Sequence, residues 1–132
     1  NYPTPICASK EASDENYDAA VAYMMEHLDR MSIFAGTHNE LSTFKLMELM
    51  EKKGVKSNDN RIWFGQLYGM SDNISYNLAE NGFNVAKYLP FGPVKDVMPY
   101  LIRRAEENTS VAGQTSRELS MIKAERKRRK EK

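Results

Sequence analysis

The sequence predicts an α/β fold in which helices connect parallel strands. Short apolar runs closed by glycine or proline alternate with longer segments whose apolar residues recur at helical spacing. Such alternation with short connections produces parallel strands joined by right-handed crossovers. A length of 132 residues fits one domain and leaves no room for two ordinary ones. With 41% apolar and 28% charged residues, the chain has the balance of a folded, soluble protein.

The first predicted helix covers residues 14–29 and is followed by a strand. Ser13 is suited to cap this helix, and acidic residues follow it in the first turn. Residues 31–35 form a short apolar run that Gly36 closes, which favours a buried strand over a helix. The apolar positions of the helix recur at helical spacing and are Tyr17, Ala20, Val21, Met24 and Leu28.

The same order of elements then repeats. A second helix is predicted over residues 40–53, with lysines in its last turn. A strand at residues 62–67, a short helix at 72–80 and a third strand at 85–89 follow, each ended by glycine, asparagine or proline. The apolar stripe predicted for the second helix consists of Phe44, Met47 and Met50.

Two further helices are predicted near the end of the chain. Residues 93–108 carry apolar side chains on one face, and Pro99 interrupts their hydrogen bonding. Either this helix kinks at the proline, or its regular part begins just before it. Thr115 and Glu118 match a capping box, which predicts a final helix from about Ser116. The apolar face of the earlier helix consists of Val94, Val97, Met98, Leu101, Ile102 and Ala105.

Composition excludes several kinds of site. The only cysteine, Cys7, cannot form an internal disulfide, and no Cys/His spacing suits a metal, so no metal site is expected. No signal-peptide pattern and no apolar run of about 18 residues occurs, so no transmembrane segment is expected. Residues 117–132 contain eight basic and three acidic side chains, and the body of the chain is mildly acidic.

Three parallel strands leave two sheet edges without a partner. Parallel sheets are normally covered on both faces, and open edges favour association with further strands. We therefore expect the chain to be part of a larger sheet or barrel, or to be an obligate oligomer.

Polar residues follow each predicted strand. The segments are 36–39 after the first strand, 65–70 at the second and 87–88 at the third. Because the carboxyl ends of parallel strands meet at one edge, these residues converge where parallel barrels hold their active sites. Each also has a local interpretation as a helix cap, a turn residue or a surface aromatic.

One face of the last core helix carries a charged cluster. Tyr100, Arg103, Arg104 and Glu107 are spaced to share this face. Paired guanidiniums can clamp a carboxylate, because their planar fork matches its two oxygens. The alternative is a solvated surface with an ion pair between Arg103 and Glu107.

Four ordered motifs resemble the C-terminal part of the proline dehydrogenase family. The resemblance implies three βα units of an incomplete (β/α)8 TIM-like barrel over residues 1–112. The capping box and the charges predict a basic helical tail over residues 113–132. The resemblance further implies a single-function flavoenzyme that uses FAD to oxidise L-proline to Δ1-pyrroline-5-carboxylate in proline catabolism. The motifs are Gly-Thr-His-Asn (36–39), Phe-Gly-Gln-Leu-Tyr-Gly-Met (64–70), Lys-Tyr-Leu-Pro-Phe-Gly-Pro-Val (87–94) and Tyr-Leu-Ile-Arg-Arg-Ala-Glu-Glu-Asn-Thr-Ser (100–110).

The resemblance also assigns substrate contacts. Arg103 and Arg104 match the arginines that hold the proline carboxylate, and Glu107 matches the acid that orients them. Tyr88 is similar to the tyrosine that packs beside the substrate ring, and Leu67 to a leucine of the ring pocket. These residues would form the substrate-binding part of the site.

Cofactor contacts and partners follow from the same resemblance. Thr37 and His38 match a pair that contacts FAD after the sixth barrel strand. The family's substrate-contacting lysine, an acidic residue and a flavin-binding segment belong to the first five strands, so no catalytic residue is expected in this chain. Alone, it would be inactive and would self-associate. The full enzyme would pass electrons to a quinone or another acceptor.

A different interpretation makes the chain an interaction or assembly module that uses its open sheet edges and basic tail. The tail contains Arg126, Lys127, Arg128, Arg129 and Lys130. Nucleic acid is not an expected partner, because no aromatic residue lies among these charges to stack on bases. Localisation stays open between the cytoplasm or a peripheral membrane position in a bacterium and the mitochondrion in a eukaryote.

Overall fold

The protein is described by a computed structural model that covers residues 6–110 and 112–130. The side chains of residues 107–118 and of residue 125 lie outside the described part. Contacts divide the chain into two compact units, Asn1–Leu89 and Pro90–Lys132. Each unit has its own secondary structure.

Strands and helices alternate, as the sequence predicts. Strands β1, β2 and β3 form one parallel sheet in that order, which confirms the α/β class. Among the described residues, β1 and β3 are the edges of the sheet. The elements are α1 (Lys10–Glu26), β1 (Ile33–Gly36), α2 (Glu40–Lys52), β2 (Ile62–Leu67), α3 (Asp72–Glu80), β3 (Val85–Tyr88), α4 (Val94–Ser110) and α5 (Ala112–Lys130).

Helix α1 begins earlier than the sequence predicts. Ser9, not Ser13, caps it: the Ser9 side chain accepts a hydrogen bond of 3.1 Å from the backbone N–H of Ala12. The Ser13 hydroxyl lies inside the helix and donates to the Ser9 carbonyl. Both serines precede an acidic residue within two positions, so local sequence does not separate the two capping patterns.

The sheet has one face covered by helices. Strand alternation directs Ile33, Ala35, Ile62 and Phe64 to this face, where each is at most 3% exposed. Helices α1, α2 and α3 complete the core on this face, through Val21, Met25, Leu46, Met50, Ile74 and Leu78. We call this the helix face.

The opposite face, here called the open face, carries the alternate residues of each strand. Register pairs Phe34 with Trp63, Gly36 with Gly65, and Leu67 with Tyr88. The largest of these side chains are exposed: Phe34 by 64%, Trp63 by 40% and Tyr88 by 56%. Among the described residues of the first unit, the buried apolar core therefore lies on the helix face.

Helix α2 differs from its predicted apolar stripe. Phe44 is exposed, whereas Leu46 and Met50 are buried and Met47 packs against the core. Asn39 caps the helix, because its side-chain oxygen accepts from the Leu41 N–H at 3.0 Å. The stripe is rotated because α2 packs against α1 and contributes Leu46 and Met50 to the shared core, which buries a different set of positions.

The second unit consists of α4 and α5. Helix α4 begins at Val94 and contains Pro99 in its interior, so the alternative in which its regular part begins just before the proline is wrong. Most of its apolar stripe is exposed. Helix α5 confirms the predicted final helix but begins at Ala112, before the predicted start at Ser116. No described helix has the length and apolar character needed to cross a bilayer.

Candidate active site

A groove of about 480 Å³ lies on the open face at the carboxyl ends of the strands. It brings together four predicted site residues from the three segments that follow the strands, as the parallel topology predicts. No group of described side chains in the chain could hold a metal ion. The groove is lined by Phe34, Gly36, Thr37, His38, Gly65, Gln66, Leu67, Ala86, Lys87 and Tyr88.

The floor of the groove depends on two glycines in register, Gly36 and Gly65. A Cβ atom at Gly65 would collide with the ring of Phe34. Glycine therefore lets the Phe34 ring lie against the backbone of β2. The result is a floor made of peptide planes and one aromatic ring.

Leu67 and Tyr88 form one wall of the groove. They are register partners on neighbouring strands, so their side chains leave the sheet side by side. The backbone N–H of Tyr68 donates to the Tyr88 carbonyl at 2.9 Å, which continues the pairing beyond β2. Leu67 is half-buried and Tyr88 is exposed, so the pair presents an apolar surface to the groove.

Thr37 connects the end of β1 to both the sheet and helix α2. Its backbone N–H donates to the Gly65 carbonyl at 3.2 Å. Its hydroxyl accepts from the Asn39 N–H at 3.0 Å. Of the two residues that the sequence offered as the cap of α2, Asn39 is the cap, whereas Thr37 holds the Asn39 N–H and lines the groove.

His38 is held at both nitrogens of its ring. Nδ1 lies 2.8 Å from the Ser71 hydroxyl oxygen, and the Leu67 N–H points to Nε2 over 3.5 Å. A backbone N–H can only donate, so Nε2 is the acceptor and the ring proton is assigned to Nδ1. The imidazole thus has one orientation at the rim of the groove.

Ser71 is a site residue that sequence reasoning missed. It is 3% exposed and has left-handed backbone angles, φ 50° and ψ 43°, which are unfavourable for a residue other than glycine by about 1–3 kcal/mol. A serine before a helix predicts an ordinary cap, but Ser71 makes no side-chain cap hydrogen bond. Only the fold shows that its hydroxyl faces His38.

The sequence also did not predict a buried pair of polar side chains behind the groove. Gln66 and Ser75 are 2% and 3% exposed. The Ser75 hydroxyl donates to the Gln66 side-chain oxygen at 2.9 Å, and the Gln66 amide donates to the Thr37 carbonyl at 3.4 Å. These bonds hold the end of β1 against β2 and α3. Gln66 occurs in the motif at residues 64–70, but nothing in its neighbours along the chain points to Ser75.

The predicted arginine pair lies on α4, in the second unit. Arg103 is exposed and Arg104 is half-buried. The guanidinium carbon of Arg104 is 5.4 Å from the centroid of the Tyr100 ring, a cation–π distance. Glu107 belongs to α4, but its side chain lies outside the described part, so its role in orienting the arginines stays a prediction.

Comparison with known proteins gives three results. A sequence model of the family described as proline dehydrogenase matches residues 1–117. The chain is 40% identical over 131 residues to mitochondrial proline dehydrogenase 1 of Bos taurus, covering 97% of this chain and 22% of the relative. It is 42% identical over 122 residues to the carbapenem antibiotics biosynthesis protein CarD of Pectobacterium carotovorum subsp. carotovorum, covering 92% of this chain and 31% of the relative.

A solved structure also matches. It is proline utilization A from Bdellovibrio bacteriovorus inactivated by N-propargylglycine, with a TM-score of 0.74, 30% identity, and coverage of 82% of this chain and 11% of that chain. The match confirms the predicted βα units of a TIM-like barrel. This chain spans 22% and 31% of the two curated relatives. Because the family match extends over nearly the whole sequence, the chain belongs to the proline dehydrogenase family of oxidoreductases.

Proposed function

We propose that this chain forms the C-terminal part of the barrel of a flavoenzyme that oxidises L-proline to Δ1-pyrroline-5-carboxylate with FAD. The observation that carries the proposal is the groove at the carboxyl ends of the strands, where Thr37, His38, Leu67 and Tyr88 converge. Active sites of parallel barrels lie at this edge. Membership of the proline dehydrogenase family supports proline oxidation as the reaction.

The groove has the features that a flavin ring system needs. Gly36 and Gly65 have no side chain to occupy the groove, and Phe34 supplies an aromatic surface. Thr37 and His38 would contact the polar edge of the cofactor from the rim. Bound FAD would supply the redox chemistry by accepting two electrons and hydrogen from the substrate.

The substrate roles follow from the chemistry of each side chain. Arg103 and Arg104 would hold the proline carboxylate through planar, charge-assisted hydrogen bonds, and Glu107 would orient them. Leu67 and Tyr88 would pack beside the pyrrolidine ring and exclude water. The position of Arg104 over the Tyr100 ring supports this role, because a stacked guanidinium is already ordered before a ligand binds.

The proposal extends to partners and location. The full-length enzyme would deliver electrons to a quinone or another acceptor. The mitochondrial location in the name of the Bos taurus relative favours a mitochondrial location if this chain is eukaryotic.

The chain of 132 residues alone would not oxidise proline and would bind little FAD. It would be at least dimeric, because its open face and sheet edges would associate with another copy.

The test compares the 132-residue chain with the full-length protein that carries it. We expect flavin absorbance and proline oxidation only in the full-length protein, and light scattering of the short chain above the monomer mass. A full-length protein that neither binds FAD nor oxidises proline would refute the proposed function. Stoichiometric flavin with turnover in the short chain would refute the proposed dependence on the rest of the barrel.

A further inference from the structure

The loop between β2 and α3, residues 68–71, determines the orientation of His38. His38 Nδ1 is 2.8 Å from the hydroxyl of Ser71 in this loop, and the Leu67 N–H before the loop reaches Nε2 over 3.5 Å. Ser71 is buried with positive φ, a backbone state that persists only when its surroundings enforce it. The loop must therefore be held from outside if His38 is to keep its orientation.

Lys87 provides that restraint. Its ammonium donates to the Met70 carbonyl at 2.6 Å and lies 2.8 Å from a carboxylate oxygen of Asp72. A longer contact of 3.5 Å reaches the Leu67 carbonyl. Lys87 is on β3, so one side chain connects the third strand to both ends of the loop after the second strand. These bonds are charge-assisted and are therefore stronger than bonds between neutral groups.

Lys87 is among the residues that line the groove, but its charged end contacts the loop. Strand alternation places its side chain on the helix face with its register partner Gln66, whereas Tyr88 points to the open face. Its side chain is 23% exposed, and the loop surrounds its charged end. Because the ammonium is engaged by the loop, we expect Lys87 to influence a ligand in the groove through the loop and His38 rather than by a direct contact.

We propose that Lys87 is a positioning residue of the flavin site, which fixes the loop at residues 68–71 so that Ser71 and Leu67 hold His38 in its binding orientation. This inference rests on the proposed function, since it assumes that His38 contacts FAD. The loop contains Gly69, which has positive φ, so the loop backbone itself offers little resistance to movement. Without the Lys87 ammonium, Ser71 can leave its left-handed conformation and release the imidazole.

The test measures FAD affinity of the full-length protein by titration of flavin fluorescence. We expect Lys87→Met to raise the FAD dissociation constant about tenfold and to alter the visible absorption spectrum of the bound flavin. His38→Ala should weaken binding by a similar factor. If Lys87 acts through His38, adding Lys87→Met to His38→Ala should change the dissociation constant less than twofold.

Lys53→Met is the matched control. Lys53 also forms an ion pair, at 2.9 Å to Glu26, and its side chain is 32% exposed, but it is the C-terminal cap of α2 and its ion pair does not involve residues 68–71. This variant should keep the wild-type FAD affinity. Asp72→Asn removes the charge that pairs with the Lys87 ammonium but leaves the hydrogen bond to the Met70 carbonyl. It should raise the FAD dissociation constant about threefold, and it provides the test if Lys87→Met does not fold.

The two proposals fail in different ways. Wild-type affinity in both Lys87→Met and Asp72→Asn, or full additivity of Lys87→Met with His38→Ala, overturns the positioning role while the proposed function stands. Absence of FAD binding in the folded wild-type protein overturns the proposed function and the inference with it.

Discussion

The two faces of the sheet differ in how their side chains are covered. On the helix face, Ile62 and Phe64 are completely buried, and the polar Gln66 has partners for its amide. On the open face, the Phe34 and Tyr88 rings are mostly exposed. Parallel sheets are normally covered on both faces, and the proposed function assigns the open face to the ligand. Folding of the first unit therefore depends on one face and its proposed chemistry on the other.

Replacing one phenylalanine on each face should give the largest difference in stability between the two faces. Phe64→Ala should lower the free energy of unfolding by about 3–5 kcal/mol, because it opens a cavity in the core. Phe34→Ala should lower it by less than about 1 kcal/mol, because the ring is mostly exposed. Urea unfolding measures the free energy of unfolding of both variants. Equal losses would show that the open face is packed in solution.

Replacing an arginine of α4 should affect binding without affecting folding. In the full-length protein, Arg103→Met or Arg104→Met should weaken the carboxylate contact by about 1.5–3 kcal/mol and raise the KM for proline roughly tenfold to a hundredfold. Lysine should restore only part of the loss, because an ammonium lacks the planar fork. Steady-state kinetics and thermal melts separate the two effects. A normal KM in either methionine variant contradicts the carboxylate clamp.

Gly65→Ala should perturb the open face with a smaller effect. The new methyl group would collide with the Phe34 ring, which can swing outward because it is exposed. We expect a loss of about 1 kcal/mol in the free energy of unfolding. Thermal melts of Gly65→Ala and of Gly65→Ala combined with Phe34→Ala provide the measurement. If Gly65→Ala destabilises the protein equally with and without the Phe34 ring, the collision does not explain the loss of stability.

The smallest change in stability is expected at the amino ends of the strands, where Asp59 precedes β2. Hydrogen bonds from the Arg61 side chain and backbone lower the pKa of Asp59 from 3.8 to about 2. A pKa that is lower in the folded state stabilises the fold above pH 3.8, and this contribution is lost as the pH falls towards 2. Asp59→Asn should therefore unfold more readily at neutral pH and lose less stability on acidification. Parallel acid titrations of both proteins would contradict this.

Much of the first unit could be predicted because its signals are local. Strand β2 and helix α3 have the predicted bounds, since apolar periodicity and flanking turn residues mark both. The convergence of Thr37, His38, Leu67 and Tyr88 followed from one topological rule, that parallel strands end at the same edge. Periodicity and turn chemistry therefore determined the order of elements and the edge that carries the groove.

Tertiary structure alone decided which side chains meet across that edge. The contacts of His38 with Ser71 and of Lys87 with Met70 join residues 33 and 17 positions apart, and no local pattern encodes them. The buried stripe of α2 was likewise set by packing, which covers Leu46 and leaves Phe44 exposed. Local sequence determines which conformation a segment prefers, whereas these contacts depend on the packing of segments distant in the chain.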